Sequence, residues 1–168
     1  MYLLSEARQV NEMARGIFSK DGYHRPIMLL FKQGSKGYDV LDIAPMMVDD
    51  RGKNFMASMV RRMAIEQKIT GVAIITEAWM AQLDKNDKNL EEMTKKINRG
   101  EISVSKMDTK KEVLMVRIES DDGLDVTFMN EIFRDLDGTP TLMQVQELKG
   151  CGGRLGGFFA PMPDNSRN

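Results

Sequence analysis

The stretch from Thr70 to Leu83, TGVAIITEAWMAQL, leaves this chain the least freedom. Val72 to Ile75 is a continuous apolar run, which suits a buried strand better than one half open to water. It ends abruptly in Thr76-Glu77, followed by the only tryptophan, Trp79. The stretch predicts a central strand whose far end delivers a carboxylate and an aromatic ring to the surface. Thr76-Glu77-Ala78-Trp79 then reads as a structural corner and a binding edge. A central strand needs neighbours and cover, and the rest of the chain must supply them.

Cover comes first from the N-terminus. Leu3, Ala7, Val10, Ala14 and Ile17 recur at three- and four-residue spacing, with Met13 and Phe18 beside them, so Leu3 to Phe18 predicts an amphipathic helix. Ser5 suits its N-cap, and Gly22 and Pro26 stop it. Ile27 to Lys32 and Tyr38 to Ile43 predict strands. Gly34 and Gly37 between them suit a hairpin, and Tyr38, Val40 and Leu41 or Ile43 are available to a core. Asp49 or Asp50 caps a second helix to about Lys68, with Phe55, Met56, Met59, Val60 and Met63 on its buried face. A strand–helix–strand link of this length predicts a crossover with the second and third strands parallel.

Residues 84–100 are the most charged part of the chain. Leu90, Met93 and Ile97 suit a short helix capped by Asn86 or Asp87, read as a solvated surface helix or a mobile flap. Glu112 to Glu119, Leu124 to Phe133 and Thr141 to Leu148 predict an antiparallel meander, because their turns are too short for crossovers. The expectation is one α/β or α+β domain over 1–149, a mixed five- or six-stranded sheet with two main helices. A Gly/Pro-rich extension, 150–168, follows. Its adjacent Phe158 and Phe159 are poor candidates for free solvent and should fold back on the sheet or dock on a neighbouring subunit.

Lysine and arginine number 24, aspartate and glutamate 25, and the net charge is −1, so no global field attracts nucleic acid or anionic lipid. The basic clusters are interleaved with acids and lack stacking aromatics, which argues against nucleic-acid binding. One cysteine, Cys151, excludes an intramolecular disulfide and a multi-cysteine zinc site. One histidine, His24, removes most histidine-based metal and triad chemistry. No apolar run approaches the roughly 18 residues of a membrane span, and the expected setting is the cytoplasm. No cofactor, metal or catalytic residue is expected.

The order helix, hairpin, helix, strand, helix, strand resembles the layout of cytidine-deaminase-like and JAB-type domains. Their metal motifs are not present, so a metal-free version is the most that layout implies. The glycines around Arg154 precede no helix and do not form a phosphate loop. Glu77 with Asp108, Glu112, Glu119, Asp121 or Asp122 would make a carboxylate site if those residues converged.

VAIITEAWM followed by KKEVLMVRIESDDG resembles a set of small bacterial and phage proteins without an assigned activity. The likeness covers about Gly71 to Gly123 and singles out Thr76, Glu77, Trp79, Lys111 and Glu112. It implies a fold and an origin rather than a reaction, and for a phage-encoded chain the expected cytoplasm is the host's. The favoured reading is a small, soluble, non-enzymatic interaction protein acting on a host or virion protein or forming homo-oligomers. Glu77, Trp79, Glu112, Arg154, Phe158 and Phe159 are its candidate contacts. The alternative is a ligand-binding, metal-binding or hydrolytic domain with a carboxylate pocket around Glu77.

Overall fold

The computed structural model describes residues 4–81, 83, 86–150 and 156–159. Its elements in chain order are α1 (Leu4–Asp21), β1 (Ile27–Lys32), β2 (Tyr38–Asp42), α2 (Asp50–Glu66), β3 (Ile69–Ala81), α3 (Leu90–Asn98), β4 (Lys110–Ser120), β5 (Asp125–Arg134) and β6 (Pro140–Lys149). Short 3-10 turns sit at Ala44–Met46 and Val104–Lys106. The strands form one sheet in the order β2-β1-β3-β4-β5-β6.

β3 is central, as its apolar run predicts, but it does not end at Thr76. It continues to Ala81, paired with β4 in unbroken register from Gly71↔Ser120 to Ala81↔Lys110. Thr76-Glu77-Ala78-Trp79 is therefore strand rather than corner, because the facing KKEVLM segment of β4 supplies a complete ladder partner. The mixed sheet also gives way to a wholly antiparallel one. β2 and β3 do share a direction, but β1 lies between them, antiparallel to both, so no neighbouring pair is parallel.

Strand alternation sends successive side chains to opposite faces, and each face has its own helix. On one face Leu29, Ala73, Ile75, Leu114, Val116 and Phe128 pack with Ala7, Ala14 and Phe18 of α1. On the other, Met28, Leu30, Val72 and Ile74 pack with Met56, Ala57 and Val60 of α2. This two-sided burial explains why β1 and β3 read as continuous apolar runs instead of alternating ones.

α2 begins where expected, its first-turn Gly52 N–H donating to Oδ1 of the N-cap Asp49 at 2.7 Å. A Cβ on Gly52 would strike the backbone carbonyl of Met46, so glycine is required there. Helical spacing puts Phe55 on the buried face, yet it is 64% exposed. The buried face is centred on Met56 and Val60, which turns the preceding residue outward. α1 already includes Leu4, which places Ser5 inside the helix rather than at its cap. Tyr38 and Val40 lie exposed on the edge strand β2, whereas Ile43 is fully buried in the core and Leu41 packs against it. α3 is preceded by Asn89, with no side-chain cap, instead of Asn86 or Asp87. None of its described side chains is buried, and Lys95–Glu91 and Lys96–Glu92 pairs run along it, so it is a solvated surface helix.

The α1 stripe contains one polar residue, Asn11, and it is buried. Asn130 of β5 donates from Nδ2 to Asn11 Oδ1 at 2.8 Å and to the Leu114 carbonyl at 3.0 Å. Arg15 donates to Asn130 Oδ1 at 2.6 Å. These bonds fix how α1 sits along β5, a register that apolar contacts alone would leave loose.

Phe18→Ala should cost about 3–5 kcal/mol in urea denaturation, as expected for a fully enclosed ring. Phe55→Ala should stay within about 0.5 kcal/mol of the parent. Equal losses for the two would place Phe55 in the core after all.

Candidate functional site

β1 and β3 part company at Ile27↔Ile75. Beyond that pair, Thr76–Ala81 has β4 on one side and, among the described residues, no strand on the other. The chain leading into β1 turns across this region instead. The backbone N–H of His24 donates to Glu77 Oε1 at 2.6 Å. Glu77 thus satisfies a main-chain donor that lacks a ladder partner, which is a structural task for a carboxylate.

Tyr23, His24, Arg25, Pro26, Ala44 and Glu77 line a shallow, open pocket of ≈ 480 Å³. His24 is only 5% exposed. Its Nδ1 lies 2.8 Å from the Arg25 carbonyl; a carbonyl only accepts, so Nδ1 carries the proton. Nε2 is buried without a hydrogen-bond partner among the described residues. The rim is held by Arg25, which donates to Asp42 Oδ2, while Asp42 Oδ1 accepts the Ala44 N–H at 3.1 Å. The hydrogen bond from Arg25, followed by that from Ala44, holds the Asp42 carboxyl below its ordinary range.

Trp79 stands opposite Glu112 in the β3–β4 register, and Glu77 opposite Leu114, so both candidates share the α1 face. Trp79 is 48% exposed, with Lys110 Nζ 5.3 Å from its ring centroid, within cation–π range. Glu112 is held by a two-pronged pair with Arg134 of β5, at 2.8 and 2.6 Å. That bond, with a smaller contribution from Glu77, raises the Arg134 pKa further above its already high value. Lys111 pairs with Glu131 at 2.9 Å.

The structure therefore brings Glu77, Trp79 and Glu112 to one end of the sheet, with each carboxylate already engaged. Glu119, Asp121 and Asp122 lie at or beyond the opposite end of β4, since Gly71 pairs with Ser120. No three of His, Cys, Asp and Glu come together in a metal-holding group among the described residues. A second cavity of ≈ 500 Å³ lies between α1 and the β1–β2 hairpin, lined in part by Val10, Met13, Phe31 and Tyr38. None of the described candidate contacts lines it.

Phe158 and Phe159 lie far along the chain from this site and on the α2 face. Phe158 is 4% exposed and joins the core around Met56 and Val60, with Phe159 packed against that core. Consecutive N–H groups of Gly157 and Phe158 donate to the two oxygens of Glu119, at 2.8 and 2.9 Å. Arg117 pairs with Glu119 at 2.7 Å and with Asp125 at 3.3 Å. Nothing in the sequence singles out Arg117: alternating with Val116 and Ile118, it looks like the solvated side of a strand. Arg154 and Cys151 lie outside the described residues.

Removing the acceptor for His24 N–H should be felt in stability. Glu77→Ala should cost about 1–3 kcal/mol, the usual penalty for orphaning a buried donor, and Glu77→Gln clearly less. Chemical denaturation of the two variants measures this, and equal losses would remove the acceptor role. At the rim, a carboxyl whose folded pKa is depressed adds stability above its ordinary pKa and loses it as pH falls through the lower folded value. Carboxyl titration by NMR should show the Asp42 midpoint moving up toward that ordinary range in Arg25→Ala.

Among the described residues, no helix is long and apolar enough to cross a membrane. No curated protein and no solved structure matches the chain. A family model does match, over residues 3–149, which ends on the last residue of β6. The chain belongs to the phage family described as bacteriophage lambda protein ea47.

Proposed function

We propose that this phage-family protein acts by binding a host or virion protein, without catalysis, through the end of the sheet where β3 outruns β1. The observation that carries the reading is the stretch Thr76–Ala81, which among the described residues has a strand on one side only. A strand edge of this kind offers main-chain donors and acceptors to an incoming segment, and strand addition is a common mode of recognition. Trp79 and Tyr23, 48% and 61% exposed, flank Glu77 and supply the large amphipathic rings that concentrate binding energy. Glu112 and Arg134 form a fixed charged rim beside them. The engaged state of both carboxylates favours a contact surface over acid–base work, which needs a group free to exchange a proton.

A small-ligand role for the Glu77 pocket is the second reading. The buried Nε2 of His24, without a partner among the described residues, supports it. A photo-crosslinking residue placed at position 79, and as control at the 77% exposed Ile65, separates the two during phage infection. The interaction reading expects a discrete protein adduct from position 79 and none from position 65. Identical adducts from both positions, or none from 79, would remove it.

A further inference from the structure

We propose that the α2 face of the sheet carries a peptide-recognition site for a bent Gly-Gly-Phe segment. Residues 156–158 fill it in cis, and the same segment of a second copy fills it in trans. Each of the three positions is read by a different physical constraint. At Gly156, which is buried, a Cβ would lie 2.6 Å from Glu119 Oε1 and closer still to the Arg117 guanidinium. Both obstructing groups are themselves buried, with side chains 7% exposed, and they hold each other in place. Gly157 has φ +72, a conformation that side-chain-bearing residues rarely adopt. Phe158 places its ring in the apolar cluster of Met28, Met56, Val60, Val72 and Ile74. The chain contains Gly-Gly-Phe once, at these positions.

The main chain of the segment is read as closely as its side chains. Glu119 takes two successive N–H groups, one on each oxygen, and Arg61 of α2 donates to the Gly157 carbonyl at 3.4 Å. Among the described residues, the receiving groups Arg61, Arg117 and Glu119, with the apolar residues just named, belong to α2, β1, β3 and β4. None belongs to the segment that they hold. A free segment of the same sequence meets the same donors, acceptor and pocket.

The test uses the full chain carrying Phe158→Ala, which empties the ring pocket, and a labelled peptide with the sequence of residues 152–163. The expected result is saturable binding by this folded variant, and at least tenfold weaker binding by the unaltered chain, whose site is filled. Peptides carrying Gly156→Val or Phe158→Ala should each bind at least tenfold more weakly than the parent peptide. No binding to the folded variant, or equal binding by the valine peptide, would overturn the proposal. If Phe158→Ala prevents folding, the unaltered chain with a protease site introduced within 151–155 replaces it. Cut after folding, it should retain its C-terminal fragment in native mass spectrometry and exchange it for the labelled peptide. Immediate loss of the fragment, or retention without exchange, would equally sink the idea.

Discussion

The fold depends on the long antiparallel ribbon of β3 and β4. Its unbroken register from Gly71↔Ser120 to Ala81↔Lys110 fixes which residues face α1 and which face α2, because a slip of one residue would exchange the faces of an entire strand. Ile75 and Val116 are thereby sent to one core, and Ile74 and Arg117 to the opposite side. The two ends of the ribbon then meet different surroundings. At the Gly71 end β1 and α2 enclose it. At the Ala81 end β1 has already stopped, and Glu77 and Trp79 lie where, among the described residues, β3 has only β4 beside it.

The same register accounts for the polar groups buried around it. Asn130 stands opposite Leu114 and beneath α1, where Asn11 and Arg15 complete its hydrogen bonds. Arg117 and Glu119 project from the other side of β4, beyond the area that α2 covers. A pair with side chains only 7% exposed has surrendered most of its hydration, and mutual attraction alone seldom recovers that cost. The N–H groups of Gly157 and Phe158 restore hydrogen bonds that water would otherwise make to Glu119. Pair and segment therefore depend on each other. Without the segment the carboxylate faces water or an unfilled slot, and without the pair the two N–H groups lose their acceptor.

How much of this is legible in the sequence follows from whether a feature is local. Helix and strand positions follow from periodicity and turn residues, and Asp49 as a cap needs only its own neighbourhood. Strand pairing is not local: TEAW looks like a strand end because polarity rises at Thr76, whereas the ladder with KKEVLM carries β3 on to Ala81. The parallel relation of β2 and β3 follows from the helical connection, but β1 between them cannot be read from either strand. Phe55 shows the limit of helical spacing, since a stripe of apolar residues does not reveal which of two adjacent positions faces the sheet.

The candidate site shows the same division more sharply. Exposure of Trp79 and proximity of Glu77 to it are consequences of strand alternation, and so the sequence can suggest them. The partners are not suggested, because His24, Arg134 and Glu119 reach their counterparts only through the fold: His24 to Glu77, Arg134 to Glu112, and Glu119 to the tail. A faint signal for the last of these does exist. Two adjacent phenylalanines after paired glycines need a buried place, and a strand with arginine and glutamate between apolar neighbours offers one only if something covers those charges. Each oddity explains the other: the glycines admit the backbone beside the ion pair, and the ion pair gives that backbone its acceptor. A charge pattern that looks solvated in a strand can thus mark where a distant segment of the same chain must lie.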